Sequence, residues 1–242
     1  MTPMGKLRLM AAVEIVLFGI AVFFFVLDRT GGPEGIASRI RYSSWIREYR
    51  QSHNVPSEPG LPGYDEYVGF LTVEGTSIEY PVMRDPDDSD GEYYYLTHDF
   101  EGDYDPAGCP FIRHSAGIDD DIVEVFAHNN SNGTMFADLI KFEDEEFFNE
   151  YGGIVLDTAG GKRSYKVIAV LDVSVDSDDY SFFGWQNFPD EESESEFQSQ
   201  IHRLSNVTDD IFYPPGTQYL LLITCEYSHA DGRRIIVAVR TS

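Results

Sequence analysis

From Tyr67 onward the chain alternates short apolar, β-branched runs with turn residues. YVGFLTV (67–73), SIEYPVM (77–83), CPFIR (109–113), DIVEVFAH (121–128), GIVLDT (153–158), SYKVIAVLDV (164–173), YLLLITC (219–225) and RIIVAVR (234–240) each read as a strand. Few helical patterns separate them, so the spacing predicts a mainly β fold, an antiparallel or mixed barrel of about eight strands. Two helical insertions interrupt it. TMFADLIKFEDEEFFNEY (134–151) predicts one or two helices capped by acidic residues. PDEESESEFQSQIHRLSN (189–206) sets Phe197, Ile201 and Leu204 at helical spacing, with acids in its first turns where the helix dipole favours them.

Ahead of the barrel the pattern is different. GIASRIRYSSWIREYRQSH (35–53) predicts a helix with Ile40, Trp45, Ile46 and Tyr49 on its apolar face, and VPSEPGLPGY (55–64) reads as a linker. Lys6 and Arg8 precede LMAAVEIVLFGIAVFFFVL (9–27), an apolar run of membrane-spanning length broken only by Glu14 near its basic end. A cleaved signal peptide is the alternative. The run is long for one, and DRTGGPEG after it offers no A-x-A cleavage site. The expected organisation is therefore a cytoplasmic tip and single-pass transmembrane anchor (1–30), an N-terminal helix and linker (31–64), and a main domain (65–242). Basic residues on the N-terminal side keep that end in the cytoplasm and set the main domain outside the cell.

The chain holds 42 Asp plus Glu against 17 Lys plus Arg, a formal net charge of −25. Such a field repels nucleic acid and anionic lipid headgroups, so neither is expected as a partner. The acid reads first as solvation of the surface, with weak calcium binding as the sharper alternative. DPDDSDG (85–91) is not an EF-hand loop, because Gly91 at the turn position leaves Pro86 where the first carboxylate belongs. No metal or cofactor is expected. The two cysteines, Cys109 and Cys225, in an extracellular domain leave a disulfide open.

Candidate chemistry gathers in LLLITCEYSHADGRRIIVAVR (220–240). A cysteine at a strand exit suits a nucleophile, whose thiolate fraction rises beside positive charge. If the two strands pair across the turn, Arg233 becomes a neighbour of Cys225. Its guanidinium can hold a substrate backbone or an oxyanion. The alternative is a buried structural cysteine beside a surface arginine. A histidine is then needed to move protons. His53 lies in the linker region, His202 on the acidic helix, His98 and His114 in polar loops, and His229 in the turn. His128 ends DIVEVFAH and faces the polar loop NNSNGTMF, the best placed of the six.

LITCEYSHADGRR resembles the TLxTC motif of sortases, with the arginine at the offset of the class B branch. FAHNNSNGTMFADLIKF is similar to that family's catalytic-histidine segment, Y-G-H-N followed by a G-x-M-F-x-x-L helix, and VGFLTVEGTSIEYPVM to its early strand pair. The resemblance covers roughly residues 67–240 in order, and includes the helix-bearing insertion before the cysteine strand. It implies a closed sortase-type β-barrel and a cysteine transpeptidase with Cys225 as nucleophile, His128 as general acid/base and Arg233 as oxyanion and substrate clamp. Arg234 competes for the last role. Leu96, Tyr180 and Thr224 are expected to line the peptide groove. Implied partners are secreted proteins with a C-terminal sorting signal, cut after Thr, and an amine acceptor from cell-wall peptide or a pilin. Leu221, Ile223 and Phe126-Ala127 depart from the family pattern and imply an altered groove wall. An active enzyme leaves Cys109 as a packing residue, since a bridge would consume the nucleophile. A non-catalytic anchored binding module and a cysteine protease using water are the rival readings.

Overall fold

A computed structural model describes residues 32–52, 66–86, 93–179, 185–226 and 231–242. The expected anchor (9–27) and linker (55–64) lie outside them. Among the described residues, no helix is long and apolar enough to cross a membrane.

Each of the eight predicted runs forms a strand: β1 Tyr67–Val73, β2 Glu79–Arg84, β3 Phe111–Ile112, β4 Ile122–Phe126, β5 Gly153–Thr158, β6 Gly161–Ser174, β8 Tyr219–Glu226 and β9 Gly232–Arg240. A ninth, β7 (Ser205–Thr208), was not predicted. Its sequence, SNVT, has one strongly apolar residue and no alternation to read. It is an edge strand on β6. The sheet order is β5-β1-β2-β3-β4-β8-β9-β6-β7, and β5 also pairs with β6. Eight strands therefore close on themselves, as expected, which removes the open edges that an unclosed sheet would present.

β8 and β9 are apolar on both faces because both faces are covered. Leu220, Leu222, Ile236 and Ala238 belong to the barrel interior, with Val123, Val125 and Leu71. Tyr219, Leu221, Ile223, Ile235, Val237 and Val239 belong to a second core on the outer face. There α3 (Glu191–Leu204) lays Phe197 and Ile201 over the sheet. Asp190 caps this helix by accepting from the Ser193 amide at 2.8 Å.

The other insertion splits into a 3-10 turn (Ala137–Glu143) and the short α2 (Glu145–Glu150), begun by Asp144 accepting from the Phe147 amide. Asp138 ties the turn to the β1–β2 connection, accepting from the Ser77 amide at 2.7 Å and from Lys141 at 3.1 Å. Burial pushes the Asp138 carboxyl up, but the Ser77 and Lys141 bonds outweigh it and hold it below the usual carboxylate range. A depressed folded value contributes stability above the unfolded value, about pH 4, and loses it as pH falls through the folded value. Asp138→Asn should therefore melt below the wild type at neutral pH. That gap should close as both are titrated into acid, as read by thermal melts across pH.

The N-terminal helix α1 (Gly32–Ser52) is present, and of its expected apolar face Trp45 and Ile46 pack half-buried against the core whereas Ile40 does not. Ile40 is 63% exposed, whereas Gly35, Ser38 and Tyr42 are buried and Trp45 is half-buried. Small residues one turn apart let the helix axis approach the barrel closely enough for Tyr42, edge-on, and Trp45, tilted, to pack against Phe100, with ring centroids 5.4 and 4.7 Å away.

Candidate active site

Cys225 and Arg233 are cross-strand partners in the antiparallel β8–β9 pair. Directly opposed residues project from the same face of a sheet. That face carries the outer core, since Leu221, Ile223, Ile235 and Val237 share it by alternation. Ile223 and Ile235 are buried one step back. Cys225 and Arg233 are half-buried where the cover of the outer core runs out. On its other side, Arg233 is paired with Val173 of β6. The thiol and the guanidinium thus sit side by side at the rim of a covered face, partly withdrawn from water and still open to a ligand.

His128 arrives by continuation of a parallel pair. β4 and β8 are in register from Ile122↔Tyr219 to Phe126↔Ile223. The Ala127 amide donates to the Ile223 carbonyl at 3.2 Å, and the Thr224 hydroxyl donates to the Ala127 carbonyl at 2.7 Å. Extending that register brings His128 beside Cys225, both half-buried, while Ala127 and Thr224 are buried on the opposite face. Just beyond, Asn129 Nδ2 donates to the Cys225 carbonyl at 3.0 Å. The histidine loop is therefore tied to the cysteine strand on both sides of His128.

The three groups can do acyl chemistry together: a thiol to attack a carbonyl, an imidazole to carry the proton and a fixed cation for the charge that develops. Among the described residues, no carboxylate pairs with Arg233, whose Nη1 donates to the Gly232 carbonyl at 3.0 Å. Arg234 faces the other way. It is 4% exposed, donates to Asp172 at 2.9 Å through both Nε and Nη2, and also binds Glu143. The remaining described histidines are engaged elsewhere. His98 stacks on Tyr94, His114 lies 3.2 Å from the Asp85 carbonyl and His202 stacks on Phe212. His53 and His229 lie outside the described residues.

No family model matches the chain. Sortase B of Listeria monocytogenes is 25% identical over 175 residues, 71% of this chain and 68% of that protein. Among solved structures, Clostridium perfringens sortase B superposes with a TM-score of 0.66 at 27% identity, covering 73% of this chain and 94% of that one. A Staphylococcus aureus sortase B–substrate complex reaches a TM-score of 0.74 at 20% identity, covering 86% and 98%. In sequence and fold the chain is similar to class B sortases.

The departures from the sortase motifs fall mostly on buried positions. Leu221 is fully buried and Ile223 is 2% exposed, both in the outer core, so they change packing under the helix cover rather than an open groove wall. Ala127 is buried in the barrel interior. Phe126 is half-buried, stacks on Tyr93 and Phe111, and has the Arg113 guanidinium over its ring. Of the expected groove residues, Thr224 is not a wall: it is 3% exposed and its hydroxyl is spent on Ala127. Leu96 is half-buried, and its carbonyl accepts from His128 Nε2 at 2.9 Å. Tyr180 lies outside the described residues.

Both thiols are free. Cys109 is 2% exposed, its Sγ donates to the Pro81 carbonyl at 3.5 Å, and burial pushes its thiol well up. The open disulfide reading is therefore corrected: Cys109 is a packing residue, and Cys225 keeps its sulfur. Asn129 was missed. The signal was present, an Asn directly after the histidine, but nothing in the sequence says that its amide reaches a carbonyl ninety-six residues away.

Proposed function

We propose that this protein is a membrane-anchored cysteine transpeptidase of the class B sortase type. Cys225 attacks the carbonyl of a Thr in a C-terminal sorting motif of a secreted protein and forms a thioacyl enzyme. His128 protonates the departing amine, and Arg233 stabilises the oxyanion and holds the peptide. An amine of cell-wall peptide or of a pilin then takes the acyl group. The observation that supports this reading is the pairing of a half-buried, free Cys225 with Arg233 across one strand pair, with the His128 loop tied to the same strand. A solved sortase B of the same fold is a complex with substrate, which supports the reading that this fold binds one. Residues 9–27 hold the enzyme in the membrane with the catalytic domain outside, where secreted substrates are retained in the same thin layer, raising the encounter rate by proximity.

The test is product analysis. The full chain is incubated with candidate sorting peptides and an amine, and the products are identified by mass spectrometry. Peptide joined to the amine supports the transpeptidase. Cleaved peptide alone, at every amine concentration, supports a cysteine protease using water. No cleavage of any motif supports a binding module.

A further inference from the structure

In the proposed reaction His128 moves the proton on one of its two ring nitrogens. A carbonyl oxygen has no proton to give, so the 2.9 Å contact between His128 Nε2 and the Leu96 carbonyl requires Nε2 to carry one. Nδ1 is then the nitrogen left for exchange. The carbonyl itself is held firmly. Leu96 closes a 3-10 turn, Tyr94–Leu96. The residues on either side are pinned too: the Cys109 amide donates to the Tyr95 carbonyl and the Asp105 amide to the Thr97 carbonyl, both at 2.9 Å.

Behind this loop stands α1. Arg41 binds Asp99, whose fully buried carboxylate also accepts from the Glu101 and Asp103 amides at 2.9 and 3.0 Å. Tyr42 Oη donates to the Gly108 carbonyl at 2.7 Å from a buried position. The helix thus grips the loop both just after Leu96 and at its far end. Gly108 has φ +67°, and a Cβ there would come within 2.6 Å of the Tyr95 carbonyl oxygen and 2.9 Å of the Leu96 one.

We propose that the Leu96 carbonyl, braced by α1, is the positioning group that fixes His128 with its proton on Nε2, and that Nδ1 is the atom that carries protons during acyl transfer. The inference rests on His128 being the acid/base of the proposed reaction. In acylation the Cys225 thiol proton resides on Nδ1, sulfur bonds to the carbonyl carbon, and the C–N bond breaks as the leaving amine takes that proton. In the second step the incoming amine gives a proton to Nδ1 as its nitrogen bonds to carbon, and the thioester sulfur leaves to recover it. Leu96, expected in the peptide groove, and α1, expected as a helix ahead of the main domain, become parts of one support.

Tautomer-sensitive nitrogen–proton correlation spectra of the full chain labelled with 15N-histidine read the first half of the proposal. His128, assigned by the loss of its signals in His128→Ala, should show a protonated Nε2 and a bare Nδ1 when neutral. The second half is read with Gly108→Ala, which displaces the Leu96 carbonyl, and with Arg41→Ala, which loosens the brace. Each should convert part of His128 to the other tautomer and lower kcat about tenfold, with KM for the sorting peptide within about twofold. Arg41→Lys should restore both readouts. A proton on Nδ1 in the wild type overturns the proposal, as does an unchanged tautomer in variants whose activity falls only with their folded fraction. Full activity in His128→Ala instead removes the underlying reading of the site.

Discussion

Replacing Cys225 by alanine should abolish acyl transfer while leaving the melting temperature within a degree or two of the wild type, on the order of a surface substitution. The reaction as proposed has no second nucleophile. Cys109 cannot stand in, because it is sealed in the barrel interior, hydrogen-bonded to Pro81, with its thiol kept protonated by burial. Cys109→Ala should accordingly keep its turnover and lose stability, as the cavity left by a small buried side chain does. Alkylation of the folded protein should modify Cys225 and spare Cys109. Turnover and thermal melts on the two variants check both halves. Retained acyl transfer in Cys225→Ala would take that residue out of the mechanism.

The two neighbouring arginines should separate in the same way. Arg233→Lys keeps a positive charge but loses the planar fork that can bind an oxyanion and a peptide carbonyl together, and should lower kcat/KM about a hundredfold. Its stability should hardly move, since among the described residues its side chain donates to the adjacent Gly232 carbonyl. Arg234→Ala should do the reverse. That guanidinium is almost fully buried between Asp172 and Glu143, so its removal leaves the Asp172 carboxylate, itself largely shielded, without its partner. A loss of about 3 kcal/mol is expected by denaturant unfolding, with kcat/KM of the folded fraction preserved. If Arg234→Ala instead lost activity at unchanged stability, and Arg233→Lys did not, the clamp would be assigned to the wrong residue.

This pair shows what the sequence could and could not carry. Alternation along RRIIVAVR says that Arg233 and Arg234 lie on opposite faces, but not which face bears the cysteine's neighbours. The β8–β9 register decides that. The barrel strands were legible because each is an uninterrupted apolar run between turn residues. β7 was not, because an edge strand of SNVT is stabilised by pairing to β6 rather than by its own pattern. The face of α1 was legible at Trp45 and Ile46 but not at Ile40, for a related reason. Periodicity of large apolar residues favoured Ile40, whereas close approach to the barrel selected Gly35 and Ser38, which hydropathy does not flag. At the site, Cys225, His128 and Arg233 were nameable from local motifs. The bonds that bring them together, from Thr224 to Ala127, from Asn129 to Cys225 and from His128 to Leu96, join residues distant in sequence and have no local signature. Thr224 was thus named for the groove while its side chain is a strut, and the carbonyl of Leu96 has a partner that its groove assignment did not foresee.

The account stands on one sulfur being the group that receives the acyl chain. The most direct measurement is to mix the full chain with a sorting peptide, quench in acid before an amine is added, and map the modified peptide by mass spectrometry. The predicted result is the N-terminal part of the substrate, ending in Thr, joined as a thioester to the tryptic peptide that contains Cys225. A cleaved substrate with Cys225 unmodified at every quench time, or an adduct on Cys109 instead, would contradict it.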